Sequence, residues 1–411
     1  MVITAVAIGT RGDVEPLVEL GKEMLQRGHS FRILTHESFR PMVENGGSTF
    51  LRINVDADHV MKYLVTDYKT SLDFAIGMFK LKKEDPSFMD ETIAAIKGSD
   101  LVIYGTCSAF AYHAAEYLGI PCARVFYSPM DPTSQYSLYC DEFDSEKVRK
   151  SYDGLPEGMN LMTMLALNKW RREHGLKRWK LNSTYKEMNG KKLLTFYPTS
   201  RTLMRPDPNW GDHIHVTGYW YHPDQAGKEY RAPEDLEEYL AGGERPIFVA
   251  FGKAESPELA ELQRIVLKAL KETGLRAIIQ AEQLDEADKV NSDQLYFIGK
   301  VPYAYIFDRV RAVVHHGGNT TNGLGLRTGL PTLVIALALD QYFYGRSDHH
   351  IGAGPEPLYI RRKLCTVEEV KRALAELISG KYDEGAKQTG IAIAQEDGVA
   401  EAADAIEGYI G

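Results

Sequence analysis

The sequence predicts an α/β fold with two similar domains, each built on a parallel β-sheet flanked by helices. The chain has 411 residues, which is more than one hydrophobic core usually supports. Short apolar runs alternate with amphipathic stretches in both halves, the pattern of parallel strands joined by crossover helices. Residues 221–246, between the halves, are charged and rich in glycine and proline, as expected where two domains join.

The first half begins with the apolar run VITAVAI, residues 2–8, which predicts a buried strand. An amphipathic stretch follows it, with Leu17 and Met24 on the apolar face and Gly28 placed to end the helix. Residues 129–192 break the alternation with polar and aromatic sequence, and we predict an insertion or substrate-side region there. A second strand–helix series begins with IFVAFG at residue 247 and continues to the C-terminus.

Composition argues against several other classes of protein. The chain is 44% apolar and 26% charged, and no apolar run reaches the roughly 18 residues needed to cross a bilayer. Its net charge of −9 and the lack of a long basic run argue against nucleic acid as a partner. Four cysteines are scattered without metal-ligand spacing. No secretory signal is recognised, so we expect a cytoplasmic protein with at most peripheral membrane contact.

In the turn AIGTRGDVEP, residues 7–16, Asp13 could act either as a helix cap or as a catalytic base. Proline is favoured at the first position of a helix, so we predict a helix that starts at Pro16 with Glu15 as its N-cap. Asp13 then lies further back in the turn, where a carboxylate is available as a general base. Because aspartate is also a favoured N-cap, both readings stay open.

A second turn, in RAVVHHGGNTTNG, has the features of an anion site. The strand RAVV ends at His315 and His316, and the glycines Gly317 and Gly318 would allow close approach of a ligand. Asn319, Thr320 and Thr321 would then open a helix whose free N–H groups attract a phosphate. Glycine turns and Ser/Thr caps are also common structural parts of α/β folds, so this pattern alone leaves the ligand open.

Three segments together closely resemble the GT-B nucleotide-sugar glycosyltransferases, in particular their bacterial antibiotic and sterol glucosyltransferase-like branch. They are GTRGDVEP, HHGGNTTNGLGLRTGLP and LDQYFYG, in the family's order along the whole chain. The resemblance implies two Rossmann-like domains that face a central cleft. We expect residues 1–220 to bind the acceptor and residues 221–385 the donor, and the helices of residues 386–411 to return toward the first domain.

The resemblance also implies an activity, which is transfer of a hexose with inversion from a nucleoside diphosphate sugar to a lipophilic hydroxyl compound. UDP-glucose is the expected donor, and a sterol, a polyketide or a flavonoid is the expected acceptor. No cofactor is expected. Because no Asp-x-Asp motif is present in residues 221–385, the expected donor domain, we also expect no metal ion, with the helix N-terminus and hydrogen-bond donors stabilising the leaving diphosphate.

Residue by residue, the resemblance makes Asp13 the acceptor base and His315 a contact of the donor diphosphate. Further residues are expected to bind or shape the site for the donor: Arg11, Gly12, Lys253, Val301, Pro302, Tyr305, His316, Gly317, Gly318, Asn319, Thr320, Thr321, Asp340 and Gln341. Within this set, Val301, Pro302 and Tyr305 are expected near the nucleobase. Asp340 and Gln341 are expected at the sugar hydroxyls. Gly323 stands where plant relatives place a ribose-binding glutamate, which leaves ribose recognition open.

An apolar and aromatic acceptor pocket is predicted in the first half. Its candidate residues are Met61, Phe74, Met78, Tyr127, Met130 and Tyr136. Apolar residues at helical spacing are also typical of a core, so that alternative stays open for each of them.

Three other functions compete with glycosyl transfer as interpretations of this sequence. A dinucleotide-dependent oxidoreductase is rejected because no G-x-G-x-x-G follows the first strand. A nucleotide-sugar epimerase would share the double α/β layout without needing an acceptor pocket. A noncatalytic protein that binds a nucleotide sugar is disfavoured because Asp13 and the Asp340–Gln341 pair are both present.

Overall fold

The computed structural model describes most of the chain. The described residues are 1–54, 88–137, 146–153, 155–221, 230–252, 257–280, 284–337, 340–360 and 364–411. Four of the predicted site residues, Met61, Phe74, Met78 and Lys253, lie outside these ranges.

The first half contains a seven-stranded sheet in the order β3-β2-β1-β4-β5-β8-β9, and all its paired strands run parallel. Its strands are β1 (Val2–Val6), β2 (Ser30–Thr35), β3 (Thr49–Arg52), β4 (Leu101–Gly105), β5 (Cys122–Val125), β8 (Leu194–Tyr197) and β9 (Ile214–Val216). A short antiparallel pair, β6 (Glu187–Met188) and β7 (Lys191–Lys192), precedes β8. The first strand lies inside the sheet, as its uniformly apolar sequence predicts.

The second half contains a six-stranded parallel sheet in the order β12-β11-β10-β13-β14-β15. Its strands are β10 (Ile247–Ala250), β11 (Ala277–Gln280), β12 (Leu295–Phe297), β13 (Ala312–His315), β14 (Thr332–Ala336) and β15 (Leu358–Tyr359). Two parallel sheets with crossover helices confirm the predicted α/β class.

Helices cover both sheets. Those of the first half are α1 (Arg11–Gln26), α2 (Arg40–Asn45), α3 (Phe88–Ile96), α4 (Phe110–Leu118), α5 (Glu146–Lys150) and α6 (Leu155–Glu173). Those that follow are α7 (Glu234–Ala241), α8 (Pro257–Thr273), α9 (Tyr303–Ile306), α10 (Asn319–Arg327), α11 (Gln341–His350), α12 (Val367–Leu377), α13 (Asp383–Ala394) and α14 (Gly398–Ile410). No helix in the described part of the chain is long and apolar enough to cross a membrane.

Helix α1 begins earlier than the sequence suggested. Its N-cap is Thr10, and Pro16 lies inside the helix rather than at its first position. The prediction that the helix starts at Pro16, with Glu15 as its cap, is therefore wrong. The backbone N–H of Thr10 donates to the carboxylate of Asp13 in a capping box, and this arrangement outweighs the preference of proline for the first turn.

The C-terminal helix α14 packs back on the first half, as the fold prediction stated. Its buried Val399, Ala402 and Ile406 join the core formed by β1 and α1. At the end of α1 the guanidinium of Arg27 pairs with Asp404 of α14. The preceding helix α13 packs instead on α10 of the second half. The chain thus crosses between the halves a second time, while the boundaries at residues 220 and 385 stay predictions.

Substitution of Ile406 should show how much this return contributes to stability. Ile406 is fully buried, so Ile406→Ala should lower the free energy of unfolding by about 2–5 kcal/mol through lost burial and a cavity. Ile391 on α13 is 48% exposed, and Ile391→Ala should change stability by no more than about 0.5 kcal/mol. Thermal and urea unfolding midpoints provide the measurement. Equal midpoints for the two variants would contradict the packing described for α14.

Candidate functional site

Asp13 occupies the third position of α1, just beyond the carboxyl end of β1. Its Oδ2 accepts hydrogen bonds from the N–H of Thr10 at 2.7 Å and from the Thr10 hydroxyl at 3.0 Å. Gly9 adopts φ +143°, and a Cβ there would lie 2.3 Å from the same oxygen, so the close turn requires glycine. Burial raises the pKa of Asp13, while the two bonds from Thr10 lower it. The residue is thus both a cap and a half-buried carboxylate.

A small cavity lies beside this carboxylate. Its lining includes Asp13, Ile8, Cys107, Ser108 and Tyr127, contributed by the ends of neighbouring strands. The Ser108 hydroxyl accepts from the N–H of Ile8 at 3.1 Å and so holds the wall of the cavity to β1. Tyr127 therefore lies beside Asp13, and its part in an acceptor pocket stays a prediction.

Asp340 immediately precedes α11, in the second half, and interacts with Asp13 across the domain interface. Burial and then the negative charge of Asp13 raise the pKa of Asp340 to about 7. Burial, followed by the charges of the same two carboxylates, raises the pKa of Tyr127 well above its usual value. These shared electrostatic effects place Asp13, Asp340 and Tyr127 at one site. The next residue, Gln341, accepts the N–H of Leu337 on its Oε1 at 2.7 Å.

The glycine turn after β13 is closely packed. Gly317 has φ +89°, and a Cβ there would lie 2.8 Å from Val334 Cγ1 and 3.0 Å from the carbonyl oxygen of Gln341. Gly318 is the N-cap of α10, so the first N–H groups of that helix point out of the turn. The backbone geometry suits an anion, and it brings the turn against the start of α11.

The two histidines of this turn differ in exposure. His315 is fully buried, and its Nδ1 accepts the N–H of Gly317 at 2.9 Å, which leaves the proton on Nε2. Burial, and then the neighbouring His316, lower the pKa of His315 to about 3, so the ring is neutral. His316 is half-buried, and burial lowers its pKa to about 4. Contact of His315 with a diphosphate stays a prediction.

The polar residues at the start of α10 have different hydrogen-bond partners. Asn319 donates from Nδ2 to the carbonyl oxygen of Pro198 at 3.2 Å, and Tyr344 donates to its Oδ1 at 2.7 Å. Its side chain therefore makes a hydrogen bond across the domain interface, at the first position of α10. Thr321 contacts the hydroxyl of Tyr303 at 3.5 Å. Thr320 is half-buried and makes no side-chain hydrogen bond within the described residues, so its hydroxyl can serve a ligand.

The segment predicted to bind the nucleobase contains two tyrosines with different partners, and its contact with a nucleobase stays a prediction. Tyr305 is buried, and its hydroxyl donates to Glu237 at 2.6 Å, so its side chain belongs to the core around α7. Tyr303 is the tyrosine that approaches Thr321, and its ring stacks on Phe307 at 4.8 Å between centroids. Tyr303 is not among the residues that the sequence predicted for the site; it is the first residue of α9, directly after its N-cap Pro302.

The remaining predicted residues are placed as follows. Val301 is buried and Pro302 half-buried at the start of α9. Arg11 and Gly12 form the first turn of α1, where the exposed Arg11 pairs with Glu15.

Among the described candidates for the acceptor pocket, Tyr127 lines the cavity beside Asp13, whereas Met130 and Tyr136 do not. The N–H of Met130 donates to the Tyr197 hydroxyl at 3.1 Å. Tyr136 is buried against Phe343 of α11, with ring centroids 5.4 Å apart, and its hydroxyl accepts the N–H of Arg205. Tyr136 therefore packs at the domain interface.

A buried polar pair beside the turn was not predicted. Asn322 of α10 donates from Nδ2 to Asp348 Oδ1 of α11 at 3.1 Å, and both side chains are almost fully buried. Burial raises the pKa of Asp348 to about 8. The sequence signal was a carboxylate four residues after Tyr344, on the buried face of a short helix. No cluster of three or more metal-ligating side chains exists in the described part of the chain.

Two parallel-sheet domains that bring a carboxylate turn and a glycine-rich helix start together define the GT-B fold. Solved structures with this fold align over the whole chain. A glycotransferase of kitacinnamycin aligns with a TM-score of 0.72 at 17% identity, covering 100% of this chain and 99% of that one. The calicheamicin glycosyltransferase aligns with a TM-score of 0.71 at 17% identity, covering 100% of this chain and 98% of that one.

Sequence comparison agrees with this fold. Residues 3–137 match the glycosyltransferase family 28 N-terminal domain. A sterol 3-beta-glucosyltransferase of Pichia angusta is 29% identical over 427 residues, covering 98% of this chain and 33% of that protein. The enzyme of the same name from Candida albicans is 29% identical over 425 residues, covering 98% and 27%. The chain thus spans about a third or less of these relatives, and its resemblance to GT-B glycosyltransferases is confirmed.

The buried Asp348 should make stability depend on pH. Because the folded-state pKa of about 8 exceeds the unfolded value of about 4, the folded state holds this proton more tightly. That contribution is complete below about pH 4 and is lost as the pH rises through about 8. Asp348→Asn removes the titration, so between about pH 6 and pH 8.5 its melting temperature should fall less than that of the wild type. Asp383→Asn, at an exposed position, provides the control, and an unchanged slope in Asp348→Asn would contradict the interpretation.

Proposed function

We propose that this protein is an inverting glycosyltransferase that moves glucose from UDP-glucose to a hydroxyl of a lipophilic small molecule. The observation that carries the proposal is the convergence of Asp13 and Asp340 beside the glycine turn that opens α10. A carboxylate for the acceptor and an anion site for the donor are the two parts that this reaction needs.

In the proposed reaction, the acceptor oxygen attacks the anomeric carbon while Asp13 takes its proton. The bond between that carbon and the diphosphate oxygen breaks on the opposite face, so the configuration inverts. The bonds from Thr10 hold the Asp13 carboxylate in place and favour its ionised form, whereas burial strengthens it as a base. Asp13 thus combines a fixed orientation with a raised proton affinity.

The diphosphate leaves with negative charge that the start of α10 can stabilise. The N–H groups after Gly318 and the hydroxyl of Thr320 are available donors on this turn. His315 stands behind the turn as a neutral ring bonded to the N–H of Gly317. Asp340 and the amide of Gln341 would bind sugar hydroxyls from the start of α11.

Substrates are proposed from the relatives. The sterol 3-beta-glucosyltransferases support glucose as the sugar and a sterol-like acceptor. A spinosyn rhamnosyltransferase of the same fold was solved with thymidine diphosphate, which supports a nucleotide ligand for this chain. It aligns with a TM-score of 0.68 at 16% identity, covering 99% of this chain and all of that one. The apolar lining beside Asp13, with Ile8 and Tyr127, suits a lipophilic alcohol.

Binding of the nucleotide should raise thermal stability. At about 100 times its dissociation constant, a ligand specific for the folded state adds about 2.7 kcal/mol. We expect UDP to raise the melting temperature more than TDP does. Thr320→Ala should reduce the UDP shift, whereas Thr328→Ala, at the other end of α10, should keep it. Equal UDP-induced shifts in melting temperature in Thr320→Ala and Thr328→Ala would show that Thr320 is not part of the donor site.

A second capping box within the described residues allows a direct test of Asp13. Thr366 and Glu369 form the same arrangement at α12, with the N–H of Thr366 donating to Glu369 at 2.7 Å. Asp13→Asn should lower kcat by about 10²–10⁴-fold because the base is lost, while UDP binding persists. Glu369→Gln should leave kcat unchanged.

Turnover is measured as UDP released from UDP-glucose with a sterol acceptor. If Asp13→Asn loses only as much activity and stability as Glu369→Gln, the carboxylate is a cap and not the base. Incubation of UDP-glucose alone should yield no isomerised sugar nucleotide, and such a product would favour an epimerase instead.

A further inference from the structure

The hydroxyl of Tyr344 joins the two halves of the proposed site. Tyr344 lies on α11, four residues after Asp340, and its side chain is fully buried. Its oxygen lies 2.7 Å from the carbonyl oxygen of Tyr127 and 2.7 Å from Asn319 Oδ1. Tyr127 lines the cavity beside Asp13, and Asn319 opens α10. One side chain thus contacts the predicted acceptor side, the predicted diphosphate turn and, through its own helix, the predicted sugar site.

The number of protons does not match the number of acceptors at this junction. A phenol carries one proton, but both neighbouring atoms are oxygen acceptors. Rotating the Asn319 amide by 180° would present its nitrogen to Tyr344, yet its oxygen would then face the Pro198 carbonyl oxygen, which is now 3.2 Å from Nδ2. Either arrangement leaves one buried oxygen without a proton, which is unfavourable.

Neighbouring groups do not remove the mismatch. The hydroxyl of Thr199 is buried and makes no hydrogen bond within the described residues, so it supplies no proton to Tyr127 or to Asn319. Burial raises the pKa of Tyr344 well above its usual value, so the phenol stays protonated. The single proton is therefore either shared between the Tyr127 carbonyl oxygen and Asn319 Oδ1 or bonded to only one of them.

We propose that Tyr344 is a positioning residue whose single proton couples occupancy of the diphosphate turn to the acceptor segment, residues 126–131. This inference rests on the proposed function. When a diphosphate at the start of α10 draws the Asn319 amide toward it, Oδ1 leaves the phenol and the proton goes wholly to the Tyr127 carbonyl. That bond then fixes the acceptor segment beside Asp13. Donor binding thereby orders the place where the acceptor lies, and by reciprocity the acceptor favours the donor.

Other contacts hold the interface independently of this hydroxyl. Tyr219 packs against Gly323, where a Cβ would lie 2.6 Å from the tyrosine ring, and the Tyr221 hydroxyl donates to the Gly323 carbonyl at 3.1 Å. The ring of Tyr344 packs against Phe343, with centroids 5.5 Å apart. Tyr344→Phe keeps this ring packing and removes only the hydroxyl. Tyr221→Phe removes one interface hydrogen bond elsewhere and is the matched control.

Hydrogen–deuterium exchange with UDP as the only ligand tests the coupling without an acceptor. In the wild type, UDP should slow exchange at the start of α10 and also at residues 126–131, the latter by roughly fivefold or more, the low end of usual site-to-site coupling. In Tyr344→Phe the protection of α10 should persist while that of residues 126–131 disappears. Tyr221→Phe should keep both.

The outcomes separate the two proposals. Protection at residues 126–131 that survives in Tyr344→Phe, or that is lost equally in Tyr221→Phe, overturns the assignment of Tyr344. Protection of α10 alone in the wild type overturns the coupling and leaves nucleotide binding intact. No protection by UDP anywhere, together with no turnover of UDP-glucose, overturns the proposed function and the coupling with it.

Discussion

The site depends on one constraint, which is that both sheets are parallel and present their carboxyl ends to the same interface. In a parallel sheet every strand delivers its following turn to the same edge. The turn after β1 therefore carries Asp13 to the edge where the turn after β13 lies in the other half. The two edges meet, since the Tyr344 hydroxyl lies 2.7 Å from the carbonyl oxygen of Tyr127. The charge of Asp13 accordingly contributes to the raised pKa of Asp340. A carboxylate and an anion turn more than three hundred residues apart thus become one site.

Close backbone approach is what allows the two edges to meet. Gly323 stands where a side chain would collide with Tyr219 of the first half, and Gly317 allows the turn to pack against Gln341 within the second half. At Gly398 a Cβ would lie 2.3 Å from the carbonyl oxygen of Gly218, so the returning C-terminal segment is held equally close. Helix α11 contacts both parts of the site, the glycine turn through Gln341 and the segment beside the Asp13 cavity through Tyr344.

Local sequence signals predicted the strands, the parallel class and the order of the two functional turns. They failed where one local rule competed with another. Pro16 suggested that the helix starts there, but the capping box of Thr10 and Asp13 starts it at Arg11, five residues before Pro16. They also failed where the partner lies far along the chain. Tyr344 and Tyr127 are separated by 217 positions, and Asn319 meets Pro198 across 121, so no local pattern could assign their side chains. The family pattern predicts Tyr305 near the nucleobase, and that contact stays a prediction. The bond of Tyr305 to Glu237 could not be predicted from the pattern, because it depends on packing against α7.

Asp13 does not have to be either a helix cap or a general base, because its geometry is compatible with both roles. Capping bonds from Thr10 to Oδ2 fix the orientation of the carboxylate and lower its pKa, while burial raises it. Only Oδ2 takes part in these bonds, so the cap leaves the second oxygen to accept a proton. The nearby Asp340, with a pKa of about 7, can take up a proton near neutrality, and this lessens the repulsion that would otherwise disfavour an ionised Asp13. A helix cap therefore provides what a general base requires, which is a fixed carboxylate with one free oxygen at a half-buried edge.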